Sequence, residues 1–159
     1  MNALKLPTKP RPLEAAVSAP AESPLEGAER ERYRLFQYHF VQFFVEHLSD
    51  VSRVFGGDLQ EMLVLAVIGQ AYIRADELGR ENAPINACRI SETTGIPRQT
   101  VRRKLQALQR RGWVQQIEGG AWQLTVHERE AAARIDLAEL DSRGMERIQK
   151  FIRTVKDRL

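Results

Sequence analysis

Between Thr93 and Ile117 the sequence carries six basic residues, Arg98, Arg102, Arg103, Lys104, Arg110 and Arg111, and no acidic ones. Side chains of this kind hold phosphates, and the forked arginine donors also fit the exposed edge of guanine. Gln99 and Thr100 stand among them; a glutamine amide suits adenine, and a threonine hydroxyl serves either purine. The formal net charge is +3, so setting these six aside leaves −3 for everything else. A mildly acidic chain with its positive charge gathered on one segment is arranged to face a polyanion. Arg98, Gln99, Thr100 and Arg103 are expected on base edges, which specify sequence. Arg102, Lys104, Arg110 and Arg111 are expected on phosphates, which set register. A solvated basic helix face is the plainer alternative.

No other constellation offers chemistry. His39 and His47 are eight residues apart, which on a helix puts them two turns and about 80° from each other, not on one metal. Glu46 and Asp50 lie nearby, and a solvated polar face is expected for all four. Cys88 is the single cysteine; it can form no internal disulfide and is expected to be small and half-buried. No nucleophile–base pair, metal-ligand cluster or phosphate loop is present. Neither an enzyme nor a cofactor is expected.

The basic residues need a rigid mount, and the pattern from Ile85 to Val114 supplies one. Asn86 is placed to cap a short helix ending near Thr94, with Ala87, Ile90 and Ser91 on its inner face. Gly95 marks the reversal, where positive φ is needed, and Pro97 opens the next helix. Val101, Leu105 and Leu108 then recur at i, i+4 and i+7 as one buried stripe. Gly112 ends the helix. Trp113–Glu118 and Ala121–Val126 read as two strands joined by a Gly119–Gly120 turn, which pairs Ile117 with Trp122 and Gln115 with Leu124. Trp113, Ile117, Trp122, Leu124 and Val126 then share one face. Ala83-Pro84-Ile85 is expected to add a short first strand.

This segment, ISETTGIPRQTVRRKLQALQRRGWV followed by QQIEGGAWQLT, resembles the winged helix-turn-helix of bacterial transcription regulators, most nearly the MarR (multiple antibiotic resistance regulator) type. The resemblance implies a homodimer binding double-stranded DNA, with the recognition helix, residues 97–111, in the major groove. It also implies a small-molecule effector between the dimerisation and DNA-binding parts. Tyr33, Phe36, Tyr38 and Tyr72 are candidates to line that site, although an aromatic core is the plainer role for them. The wing departs from the family, which places an Asp and an Arg near a longer tip; here the tip is Glu118-Gly119-Gly120.

The remaining chain reads as support. Residues 1–28 hold five of the seven prolines and are expected to be a disordered tail, whose Lys5, Lys9 and Arg11 add only diffuse charge. Residues 29–159 form one winged-helix domain, with its core at 58–126 and flanking helices at 29–55 and 127–159. Phe36, Phe40, Phe43, Phe44, Leu48, Val51 and Phe55 follow helical steps along the first flank. Asp58 and Glu61 form a capping pattern for a helix reaching Leu78 that is apolar nearly all round, hence central; its Gly69 is expected at a close helix crossing. Thr125 and Glu128 suggest another capping box, opening a helix toward Leu140 with a hinge at Asp141–Gly144. Met145, Ile148, Ile152, Val155 and Leu159 make its last stripe.

The fold expected is mainly α with a small β-hairpin wing, an α+β winged helix flanked by dimerisation helices. The longest apolar run, Met62–Ile68, is far short of the roughly 20 residues of a membrane span, and the prolines interrupt any signal-peptide core. A cytoplasmic regulator of transcription is the expected function. The alternative is a winged helix used for protein interaction or assembly.

Overall fold

The computed structural model describes residues 27–80 and 83–158; the proline-rich stretch up to residue 26 and Leu159 lie outside them. Six helices and two small hairpins form an α+β winged helix with a helical arm. Helix α1 (Ala28–Val54) leads into α2 (Leu59–Glu77), then α3 (Ala87–Thr94) and α4 (Arg98–Arg110). Strands β1 (Val114–Gln116) and β2 (Trp122–Leu124) make the wing, and β3 (Val126–His127) and β4 (Glu130–Ala131) a second hairpin. Helices α5 (Ala132–Asp136) and α6 (Ala138–Arg158) close the chain.

The core sits where α2, α3, α4 and the wing meet. Val64, Ile68, Ile90, Val101, Leu105 and Leu108 are essentially inaccessible to solvent there. The i, i+4, i+7 stripe of α4 is thus buried whole. Ile85 exchanges backbone hydrogen bonds with Trp122, at 2.8 Å each way, and so makes a single bridge at the outer edge of β2 in place of the expected short strand. Helix α2 differs from expectation, because its sides are not all covered. Val64, Leu65 and Ile68 face inward, while Leu63 and Ile73 stay exposed. Gly69 makes no close crossing: a Cβ added to it would meet nothing within 4 Å. A glycine in mid-helix costs about 1 kcal/mol relative to alanine, and here no packing contact offsets it.

The wing register is shifted by one residue from the two-glycine turn. Val114 pairs with Leu124 and Gln116 with Trp122. The turn runs through three residues, Glu118, Gly119 and Gly120, closed by Ile117 N–H to Ala121 O at 2.9 Å, and both glycines have positive φ. Trp113 and Val114 are consequently both buried. The capping box at Thr125 does not form either. The Thr125 N–H donates to Trp113 O and its carbonyl accepts from Ala132 N–H, so its backbone is fixed between sheet-like bonds. The chain turns instead at Glu128 and Arg129, with φ of 49° and 72°, and pairs Val126 with Ala131.

Helices α1 and α6 form an arm extending from this core. No hinge occurs at Asp141–Gly144. Helix α6 runs straight through, because Gly144 is the notch against which His47 of α1 packs; a Cβ there would come within 3.2 Å of the imidazole. Leu140, Gly144, Arg147 and Phe151 make the α6 face toward α1. Phe151 lies 5.8 Å from the ring centres of Phe36 and Phe43 and 6.3 Å from that of Phe40. Asp50 was expected in solvent but is 3% exposed. The guanidiniums of Arg53 and Arg147 donate to it at 2.5 Å and Arg143 lies 3.5 Å away. The Arg147 hydrogen bond outweighs the cost of burial and, with the surrounding positive charge, holds the Asp50 carboxyl below its ordinary value of 3.8.

The outer faces of the arm have no partner among the described residues. Val41, Phe44 and Val45 on α1 are between 48% and 56% exposed, and Met145, Ile148 and Ile152 on α6 between 38% and 55%. Met145, Ile148 and Ile152 of α6 therefore point away from α1.

Candidate nucleic-acid interface

Helix α4 is held by its two ends and one side. At its start, the Asn86 side chain accepts from Arg89 N–H at 2.8 Å and caps α3, and Gly95 ends α3 at φ 71°. The Ser91 hydroxyl donates to Ile96 O at 2.6 Å, and Ile96 N–H donates to Thr94 Oγ1 at 3.2 Å. These bonds fix the reversal between the two helices. Pro97 takes the N-cap position, so α4 proper begins at Arg98. Its hydroxyl-free cap leaves the first N–H groups of α4 pointing outward, a favourable setting for an anion.

The basic residues divide among three sides of α4. Toward α2, Lys104 forms an ion pair with Asp58, the residue that caps α2. Burial alone would raise the Asp58 carboxyl, but the Lys104 bond, the Glu61 N–H and nearby positive charge together lower it. Seven residues on, Arg111 Nε stands 2.9 Å from Oε1 of the buried Glu61, an ion pair rather than an aligned hydrogen bond. The same guanidinium lies over Trp113, 4.8 Å from the ring centre, and 5.6 Å from that of Phe55. Trp113 Nε1 in turn donates to Asp136 at 2.7 Å. Lys104 and Arg111, expected on phosphates, are thus occupied inside the protein.

On the side toward the wing, Arg98, Arg102 and Gln106 step by four along one edge of the helix. They face Gln116 and Gly119–Gly120 across a groove of about 560 Å³, with Asn86 and Cys88 at its end. The outward side carries Gln99, Arg103 and Arg110, all exposed. Among the described residues no carboxylate lies within ion-pair distance of Arg98, Arg102, Arg103 or Arg110. Thr100 is half-buried on the α2 side.

Of the eight expected contact residues, five (Arg98, Gln99, Arg102, Arg103 and Arg110) share an exposed surface, Thr100 is half-buried, and Lys104 and Arg111 are paired with Asp58 and Glu61, Arg111 still 36% exposed. Gln106 and Gln116 join that surface and were missed. The i, i+4, i+8 spacing from Arg98 through Arg102 reaches Gln106 and could have found it. Glu118 is exposed at the wing tip. Cys88 is half-buried, with Sγ 3.5 Å from Glu92.

This arrangement can present an extended set of guanidinium and amide donors to a ridge of phosphates and base edges. Residues 78–134 match the family model of TrmB, described as a sugar-specific transcriptional regulator. The match runs from the end of α2 through the wing to α5, somewhat over a third of the chain, and supports a regulator-type winged helix. No curated protein and no solved structure matches the chain. Among the described residues no helix is long and apolar enough to cross a membrane.

Proposed function

We propose that this protein is a sequence-specific regulator of transcription that binds double-stranded DNA as a homodimer. One observation carries the proposal: four arginines with no carboxylate partner among the described residues share the exposed sides of a helix with Gln99 and Gln106, and that helix is mounted between a fixed turn and a wing. Helix α4 enters the major groove. Gln99 and Arg103, with Arg98 at the helix start and Thr100 beside it, meet base edges; Arg102 and Arg110 hold phosphates. Lys104 and Arg111 have another task, which is to lock α4 to the start of α2. The matched family, by its description a regulator of transcription, agrees with this assignment.

The homodimer follows from the uncovered apolar faces of α1 and α6, which a two-fold partner would bury in the MarR-like manner. Two recognition helices then read a pseudo-palindromic site with half-sites about 10 base pairs apart or a multiple of that. The compartment proposed is the cytoplasm, where such a regulator meets its operator. A small-molecule effector, bound away from the DNA surface, completes the proposal. Protein interaction without DNA is the competing function, favoured only by the acidic Glu118 at the wing tip.

Selection of bound sites from a random duplex library tests the proposal. An enriched two-fold motif is expected, with Arg103→Ala and Gln99→Ala each weakening the selected site by about 1–3 kcal/mol and relaxing base preference. Equal losses on every duplex would move these residues to phosphate contact. No enrichment, together with binding that does not respond to salt, would favour the protein-interaction module.

A further inference from the structure

A second concave surface lies on the far side of α2 from the recognition helix. It is a cavity of about 620 Å³ between α2, the second hairpin, α5 and the start of α6. Its floor is apolar: Leu65, Gly69, Tyr72, Leu124, Ala131 and Leu137 contribute to it. Gly69 is neither a turn nor a crossing point, and the space over its Cα is empty to 4 Å. A glycine there gives up helix stability and obtains only room. The volume lies within the range of small-molecule sites, which combine an apolar lining with a few charged groups at the rim.

The rim selects among ligands by charge. Asp76, Glu77, Glu130 and Asp141 stand around it against Arg129 and Arg134, an excess of two negative charges. Among the described residues none of the six is engaged in an ion pair within 4.0 Å. The floor offers a hydroxylated ligand little hydrogen bonding beyond the Tyr72 hydroxyl, so a free sugar would leave polar groups unpaired against aliphatic side chains.

We propose that this cavity binds a lipophilic organic cation, with its apolar body over Gly69 and Tyr72 and its charge at the acidic rim. This deepens the effector part of the proposed function by giving it a place and a ligand class. Binding is measured on the protein alone, so its outcome is separate from that of DNA recognition. The cavity wall includes Leu124 of the wing and Ala131 beside it, and α2 is tied to α4 through Asp58 and Lys104. An occupant therefore touches the elements that orient the recognition helix.

Calorimetric titration of the full chain with tetraphenylphosphonium and with its anionic isostere tetraphenylborate tests the proposal. The cation is expected to bind at least about tenfold more tightly than the anion, because the bodies match and only the charge differs. Gly69→Leu should intrude on the cavity where the ligand body sits and abolish binding while the protein melts no earlier. Asp76→Asn with Asp141→Asn, which leaves the floor intact, should weaken the cation by about tenfold and the anion not at all; this arm stands even if the leucine variant fails to fold. Equal binding of the two ions, binding that survives in a folded Gly69→Leu protein, or no heat from the cation up to about 1 mM overturns the proposal. So does maltose binding that Gly69→Leu removes, which would make the cavity a sugar site. Dissociation of a dimer by Gly69→Leu would make it a subunit contact and overturn it equally.

Discussion

The division of the basic residues can be measured as a salt dependence. Each phosphate neutralised on duplex DNA contributes a slope of about −0.9 to the plot of log affinity against log salt. Arg102 and Arg110, the two guanidiniums per protomer assigned to phosphates, make four contacts in a dimer, so a slope of about −3.6 is expected; adding Lys104 and Arg111 would give about −7. Fluorescence anisotropy on the selected duplex between 50 and 200 mM salt is the assay. Arg102→Ala removes one contact per protomer and should flatten the slope by about 1.8 while leaving the melting temperature unchanged. Lys104→Ala should do the reverse. Its side chain is 12% exposed and that of Asp58 30%, so losing the pair costs about 1–2 kcal/mol of stability. For a domain of this size that is roughly 2–8 °C in melting temperature, with the slope unmoved. A Lys104→Ala protein that melts normally and binds DNA with a slope flatter by about two would refute the assignment.

Three other outcomes follow from the structure. Ile152→Glu or Phe44→Glu, placed on the exposed arm faces, should convert a dimer into a species near 18.2 kDa; sedimentation equilibrium showing a monomer before mutation removes the dimer from the proposal. Arg129→Gly should raise stability by about 1 kcal/mol, because an L side chain at φ 72° is disfavoured and glycine is not; thermal melting that is unchanged or lower would mean that the arginine side chain offsets its backbone cost. Asp50 is held below its ordinary 3.8, so its contribution is complete above that value and lost as pH falls through the lower folded one. Asp50→Asn should therefore flatten the acid limb of melting temperature against pH, and an unaltered acid limb would show that the arginine cluster adds no stability.

The turn and recognition helix were legible because their signals are local. Asn86, Gly95, Pro97 and the Val101–Leu105–Leu108 stripe each constrain the backbone within a few residues. What escaped depended on partners distant in sequence. Lys104 and Arg111 look like any exposed cations until Asp58 and Glu61, some fifty residues earlier, are placed beside them. Their seven-residue spacing around Leu108 was a hint, since it puts both at the edge of the buried stripe. Thr125 and Glu128 carry a valid capping pattern, overridden by sheet-like bonds to Trp113 and Ala132. The wing register failed because a Gly-Gly pair serves a two-residue turn and a three-residue turn alike. Phe151 went unnoticed because the apolar spacing of α6 picks out Met145, Ile148 and Ile152 instead.

Helix α1 has a further, mechanical meaning. At 1.5 Å per residue its 27 residues make a rod of about 40 Å, joined to α2 through Gly56 and Gly57. A rod of that length magnifies angles: tilting it by about 5° about those glycines moves its far end roughly 3.5 Å, close to the rise of one base pair. In a pair of protomers joined by their arms, the distance between the two reading heads would thus be tuned in steps of a few degrees. The wedge of Phe55, Arg111 and Trp113 stands at the foot of the rod, where such a tilt would pivot. A conservative exchange at Phe55, distant from any base, would then alter which operator spacing is accepted rather than which bases are read.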